Sequence, residues 1–249
     1  MKPSIETGFH AILPNKVVLH SHPIDIIANT MVQDFKVRAS NALNNMKWLF
    51  INYVRPGEDL AKNIANSIEE NINIFILQNH GLIVGADTAK EAEDIQKTVV
   101  KLLKIKKRKL VNKTSDDMFL LSNSIPGSYL PKEEIINTLA TDPFSFELSK
   151  TNPYSPDHLV FCGIRPLILE DIKQDWNRLI KEHEYAIIKG KGVLLFGKRN
   201  KYLEEMLMTQ AEVFARIKLG QSISTLKTEE CLGLLEWEAE RYRRSIIQK

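Results

Sequence analysis

The sequence predicts an α/β fold. Short apolar runs with strand character alternate with stretches of helical apolar spacing, and Pro, Gly or Asn punctuates many of the junctions. With 249 residues and 43% apolar content, the chain can bury one good core or two small ones.

Taken in order, Ser4 to Leu13 reads as a short helix entered by Pro3 and stopped by Pro14, with Ile5, Phe9 and Ile12 on one face and Glu6 and His10 on the other. Val17-Val-Leu-His-Ser-His-Pro23 reads as a strand. Its period of two sends His20 and His22 to one face, and Pro23, lacking an N–H, ends the ladder where the histidines emerge. Ile24 to Met31 has helical spacing. Trp48 to Val54 is a strand closed by Arg55-Pro-Gly57, and Glu58 to Glu70 is an amphipathic helix with Leu60, Ile64 and Ile68 inward. Phe75 to Val84 is a strand pair broken by Asn79-His80-Gly81. Asn and Gly tolerate φ > 0, so that break is a tight turn presenting His80 at a strand end. Thr88, followed three residues later by Glu91, opens a long helix with Ile95, Val99, Leu102 and Leu103 as its stripe.

The helix leaves through Lys101-Leu-Leu-Lys-Ile-Lys-Lys-Arg-Lys109, a solvated face whose cations complement the helix dipole. No aromatics are interleaved to stack bases, which argues against a nucleic-acid site. Residues 112–131, rich in Ser, Asp, Asn and Gly, read as a linker between a domain at 1–111 and an extension at 132–249. The extension begins with a helix from Lys132. A Pro-containing loop at 152–157, a strand His158 to Cys162 and a helix Trp176 to Glu182 follow. Ala186 to Gly197 then lies over Phe75 to Gly85, with His80-Gly81 matched to Lys191-Gly192, and each run leads into a long helix. This is a partial internal repeat. No His-x-His precedes the second copy, which keeps the fold and drops the ligand. Gly190-Lys-Gly192 lacks the third glycine and the helix of a dinucleotide loop, and Lys191 reads as an exposed turn lysine. The tail from Lys227 places Leu232, Leu235, Ala239 and Tyr242 at helical spacing.

Composition narrows the function. Lys plus Arg minus Asp plus Glu is 34 − 31 = +3, too near balance to announce a nucleic-acid partner. Two cysteines make no disulfide framework, and no run has the length of a membrane span. A cytoplasmic protein is the expectation, with no membrane partner. Two histidines at strand spacing are more often a surface pair or hydrogen-bonded core residues, but only six histidines occur, and His20, His22 and His80 would make a metal-ligating set if they met, with Glu6 fourteen residues before His20 as a carboxylate to join them. Three imidazoles fill three corners of a tetrahedral zinc site and leave the fourth for water, substrate or a displaceable carboxylate. An open Zn²⁺ is a Lewis acid for a carbonyl and its neighbouring hydroxyl, and a carboxylate at the rim can carry the proton.

Four pieces, Pro3-Ser-Ile-Glu-Thr-Gly-Phe-His10, Val17-Val-Leu-His-Ser-His-Pro23, Tyr53-Val-Arg-Pro-Gly57 and Leu77-Gln-Asn-His-Gly-Leu82, together resemble the class II aldolase/adducin family. That family includes the zinc-dependent fuculose- and rhamnulose-phosphate aldolases and ribulose-phosphate 4-epimerase. The likeness covers about the first 110 residues; the second half is more loosely similar to the extension in bifunctional aldolase/dehydrogenase relatives. It implies a three-layer α/β/α class II aldolase-like fold with a carboxy-terminal α/β extension. It also implies a homo-oligomer acting on a sugar or sugar phosphate. By position, His20, His22 and His80 match the family's ligands for Zn²⁺, or another divalent transition metal, and Glu6 matches the carboxylate that serves as catalytic base or displaceable fourth ligand. Ser4 falls on a serine that helps hold the substrate phosphate, and Asn79 and Gly81 are assigned to substrate binding. His10, Tyr53 and Gly57 read as structural. The activity implied is an aldehyde-lyase working through a zinc-stabilised enediolate. The alternatives are a 4-epimerase using the same retro-aldol step and a non-catalytic adducin-like interaction module.

The departures are equally specific. The chain starts two residues before Pro3, where the family carries Gly/Asn/Thr loops for the phosphate, so a domain lacking that segment is expected. Ile5 stands where phosphate aldolases tend to have a second serine, and Val32 to Asn45 contains no tyrosine to serve as proton donor.

Overall fold

The computed structural model describes residues 4–68 and 71–237. The chain divides into two compact units. Unit 1 contains the described residues of 1–106, 154–156 and 220–249, and unit 2 contains residues 107–153 and 157–219.

Unit 1 runs α1 (Thr7–Ile12), β1 (Val17–Ser21), α2 (Ile24–Thr30), α3 (Phe35–Ala42), β2 (Trp48–Ile51), α4 (Glu58–Ser67), β3 (Ile74–Leu77), β4 (Gly81–Ala86) and α5 (Ala89–Leu102). The sheet order is β1-β4-β3-β2, with β2 parallel to β3 and the other pairs antiparallel. The apolar run of β3 is buried on both sides. Ile74 and Ile76, with Leu82 and Val84, pack against Ile26 of α2, Phe35 and Ala39 of α3 and Ala92 and Val99 of α5. Phe75, Leu77 and Ile83 face the other way, onto Phe9 of α1 and Leu60, Ala61 and Ile64 of α4. Helices on both faces of one sheet make a three-layer α/β/α sandwich, which is why these strands carry apolar runs instead of alternation.

Local signals act much as expected. The Thr88 side chain accepts from Glu91 N at 3.2 Å, while Glu91 Oε2 accepts from Asp87 N at 3.1 Å, a reciprocal cap on α5. Leu102, however, is 48% exposed at the end of that helix, and Ile12 of α1 is 38% exposed while Leu13 is buried in its place. The predicted helix from Glu58 is seen to Ser67, and its proposed end at Glu70 lies outside the described residues.

Unit 2 runs α6 (Asp116–Ser124), β5 (Ser128–Tyr129), a 3-10 turn (Glu134–Asn137) leading into α7 (Thr138–Thr141), α8 (Pro143–Ser149), α9 (Pro156–Cys162), β6 (Leu167–Leu169), α10 (Trp176–Glu182), β7 (Tyr185–Ile188), β8 (Gly192–Phe196) and α11 (Lys201–Phe214). Its sheet order is β5-β8-β7-β6. Two expectations are corrected here. Residues 112–131 hold α6 and β5 and are no linker: Ser115 caps α6 by accepting from Asp117 N, and Met118, Leu121 and Ile125 at helical spacing enter the core. His158 to Cys162 is not a strand but most of α9, because Pro156 and Asp157 are suited to a first helical turn and the four-residue apolar run Leu159 to Cys162 fits either geometry.

The last described segment returns to unit 1. Ile223 bridges Val32, and α12 (Thr228–Glu236) buries Cys231 and Leu234. The predicted stripe there is displaced, since Leu232 is 46% exposed; Ala239 and Tyr242 lie outside the described residues. No helix among the described residues is long and apolar enough to cross a membrane.

His158, buried in unit 2, yields a pH prediction. Burial pushes its imidazole down from an ordinary value of 6.5 to about 4, against the opposing hydrogen bond of Gln210. The unfolded chain therefore takes up the proton first, and the native state loses stability as pH falls through 6.5 towards 4. The loss should amount to roughly 3 kcal/mol. Urea denaturation between pH 7 and 4.5 should show this slope, and His158→Leu should flatten it.

Candidate metal centre

The period of β1 puts His20 and His22 on one face, with ring centroids 4.8 Å apart. The β3–β4 turn brings His80 beside them, its ring 5.1 Å from that of His20 and 4.9 Å from that of His22. The fourth member is Glu6, at the start of α1. Its Oε1 lies 3.3 Å from His20 Nε2 and 4.0 Å from His80 Nε2. One donor atom from each of Glu6, His20, His22 and His80 falls within 4.8 Å of all the others. The structure thus gathers the three histidines and the carboxylate that the sequence singled out, from segments 74 residues apart (80 − 6).

The chemistry of this donor set suits a metal ion. Four ligands about 2.05 Å from a tetrahedral zinc stand about 3.3 Å from one another. The separations here, 2.9 Å between the two Nε2 atoms of His20 and His22 and 3.3 and 4.0 Å to Glu6, bracket that value. His20 Nδ1 lies 3.0 Å from the Leu82 carbonyl oxygen, which can only accept. The proton must then sit on Nδ1, leaving Nε2 to offer its lone pair to the group of donors, as a metal-binding imidazole requires. The side chains of His20 and His80 are 6% and 5% exposed, while that of Glu6 is 27% exposed. Glu6 therefore stands at the rim. Phe9, fully buried, packs edge-on against His20 at 5.2 Å and holds the ring from behind.

Of the three residues assigned to substrate binding, Ser4 lies on the surface, whereas Asn79 and Gly81 are buried and build the His80 turn. Ser4 is exposed, and its Oγ accepts from Glu6 N at 3.3 Å. Gly81 is packed so closely that a Cβ there would stand 2.3 Å from Ser21 O. Asn79 adopts φ 54° in the turn, and its buried amide donates to the carbonyls of Tyr154 and Ser224 at 2.9 and 2.8 Å. Its own N–H donates to Thr30 Oγ1 at 3.1 Å. Thr30, Tyr154 and Ser224 are holders of the His80 turn that sequence reasoning missed. The last two are 75 and 145 residues from Asn79, and no local pattern announces them. His10 stacks on Phe9 at 4.6 Å and is exposed, outside the donor group.

A family profile described as the class II aldolase and adducin N-terminal domain matches residues 1–106. These residues form a class II aldolase/adducin domain. The chain is 36% identical over 100 residues, 39% of its length, to an uncharacterized oxidoreductase, YuxG, of Bacillus subtilis strain 168; the match spans 14% of that protein's length. A solved structure described as the N-terminal class II aldolase domain of a conserved protein from Thermoplasma acidophilum is 35% identical. That match covers 41% of this chain and 46% of the solved chain, with a TM-score of 0.38.

The Asn79 network carries a prediction. Asn79→Gly keeps the left-handed turn and removes both bonds to the Tyr154 and Ser224 carbonyls, so it should cost about 1–2 kcal/mol of stability. It should also loosen His80 and weaken zinc affinity roughly tenfold, as loss of a ligand's supporting contacts does. Asn79→Ala adds the strain of φ 54° on a Cβ, about 1 kcal/mol more. Urea denaturation and zinc competition against a chromophoric chelator measure the two effects.

Proposed function

We propose that this chain is a metal-dependent aldehyde-lyase that cleaves or forms a carbon–carbon bond in a sugar or sugar phosphate. The observation that carries the reading is the convergence of Glu6, His20, His22 and His80 within an aldolase-type domain. His20, His22 and His80 would hold Zn²⁺ or a similar divalent ion, and Glu6 would be a fourth ligand or the group that moves the proton. A bound divalent ion supplies Lewis acidity, drawing negative charge onto the carbonyl and hydroxyl oxygens of a substrate. In retro-aldol cleavage, the hydroxyl β to the carbonyl loses its proton and becomes the aldehyde oxygen, while the pair of electrons of the breaking carbon–carbon bond passes to the carbonyl side. Glu6, at the rim and next to His20 and His80, is placed to accept that proton at Oε1. The buried His20 is held in its orientation by Phe9 and the Leu82 carbonyl. Ser4, exposed and bonded through its Oγ to Glu6 N, is the candidate contact to a substrate phosphate, and Asn79 and Gly81 shape the turn that carries His80.

The test is aldehyde release from a panel of ketose phosphates by the zinc-loaded full chain. Glu6→Gln should lower turnover by about 100-fold or more while zinc stays bound. Cleavage that survives both Glu6→Gln and His80→Ala would place the activity elsewhere.

A further inference from the structure

Unit 2 is built on the plan of unit 1. Its sheet order β5-β8-β7-β6 repeats β1-β4-β3-β2 pair for pair: β6 and β7 are parallel, as are β2 and β3, and the other two pairs are antiparallel in both. The central turns match in detail. Asn79 has φ 54° and Gly190 has φ 66°. His80 N donates to Leu77 O at 3.3 Å, and Lys191 N to Ile188 O at 2.9 Å. Gln78 N donates to Ile51 O and Lys189 N to Leu169 O, both at 2.9 Å. A 14-residue helix follows each hairpin, capped by the side chain of Thr88 in one unit and Asn200 in the other.

Register and spacing together assign counterparts to His80, His20 and Glu6 of the metal centre. Leu77–Gly81 and Ile188–Gly192 are equivalent closing pairs, which sets Lys191 in the place of His80. Three residues into β4 and β8, Val84 pairs with Leu19 and Leu195 with Tyr129. One position further along, just past the end of β5, His20 falls on Leu130; Lys132, whose N–H donates to Glu204 Oε2 of α11 at 2.9 Å, has left that line, so His22 has no counterpart beside the turn. Glu6 precedes His80 by 80 − 6 = 74 residues, and Asp117 precedes Lys191 by the same 74. In both places the acidic residue's N–H donates to the Oγ of a serine two residues earlier, Ser4 or Ser115, at 3.3 Å.

We infer that unit 2 is a second copy of the aldolase-type fold whose site has been closed by an internal ion pair, so that it holds no divalent metal. Lys191 Nζ meets Asp117 Oδ2 at 2.5 Å, satisfying with an ammonium the carboxylate that corresponds to Glu6. That hydrogen bond holds the Asp117 carboxyl below its usual range. A protonated lysine offers no lone pair and repels a second cation, and Leu130 has no donor atom. The space beside the turn is also refilled. A Cβ on Gly81 would meet Ser21 and His22, whereas one on Gly192 would meet Asn137 Oδ1 at 2.9 Å and Met118 Cγ at 3.2 Å. Asn137 Oδ1 is fixed there by Val193 N at 2.9 Å. The inference takes from the proposed function only that Glu6, His20, His22 and His80 bind a metal.

The experiment is zinc content of the full chain after equilibration with zinc and removal of the unbound ion. Wild type should hold about one zinc per chain, and His80→Ala none. A second zinc in wild type, or one kept by His80→Ala, that is lost on Asp117→Asn would overturn the inference. If wild type binds none, the reading of Glu6 and its histidines fails while this inference stands.

Discussion

Replacing His80 with alanine is expected to lower zinc affinity by at least about 100-fold, more than the loss of a supporting contact costs. Three imidazoles and one carboxylate provide the whole donor group, and removing one leaves two strand histidines and Glu6. His80 is buried, but it sits in a turn whose backbone is held by Leu77, Thr30 and the Asn79 amide, so the fold should survive the truncation. Zinc bound to the native state alone adds stability by mass action, about 4 kcal/mol at a thousandfold excess over Kd. A chelator should therefore lower the unfolding temperature of wild type and leave that of His80→Ala unchanged. Equal sensitivity of the two proteins to chelation would mean that the metal is held elsewhere.

Gly81→Ala should damage both the fold and the metal centre. The added Cβ would stand 2.3 Å from Ser21 O and 2.8 Å from His22 Cδ2. The first of these is backbone, paired in register across β1 and β4, and it cannot swing aside as a flexible side chain would. The end of β1 must move, taking His20 and His22 with it. Overpacking of this kind costs roughly 3 kcal/mol, and displaced ligands should lose at least about tenfold in zinc affinity. Gly233→Ala is the control: nothing lies within 4 Å of its Cβ in helix α12, so it should be neutral or stabilise by up to about 1 kcal/mol. Urea denaturation of the two variants, with zinc titration, reads both effects. A Gly81→Ala protein with wild-type stability and zinc affinity would mean that β1 does not close over β4 as described.

Much of the metal centre was legible because it rests on two short periodicities. His20 and His22 obey the two-residue repeat of a strand, and Asn79-His80-Gly81 interrupts an apolar run in the way a tight turn must. Glu6 could be placed only through its resemblance to the family pattern, since a lone carboxylate at a helix start has many ordinary reasons to be there. The supports of the site were hidden. Ser224 and Tyr154 reach Asn79 through backbone carbonyls, which leave no mark on residue type. In the second half, the Ser and Asp content of residues 112–131 suggested a linker and masked the Met118, Leu121, Ile125 stripe of α6. The same misreading hid Asp117 as the counterpart of Glu6, although the match of Lys191-Gly192 to His80-Gly81 was visible in the apolar runs around it. In α9, the four apolar residues Leu159 to Cys162 were too few to tell a strand from a helix by periodicity.

The central claim is that three rings and one carboxylate bind a single ion, and X-ray absorption at the zinc edge of the full chain loaded with one equivalent tests it most directly. The account predicts a first shell of about three imidazole nitrogens and one oxygen at about 2.0–2.1 Å, with the outer-ring scattering that identifies histidine. In His80→Ala the imidazole count should fall by about one. A shell of oxygens alone, or a spectrum indifferent to the loss of His80, would contradict it.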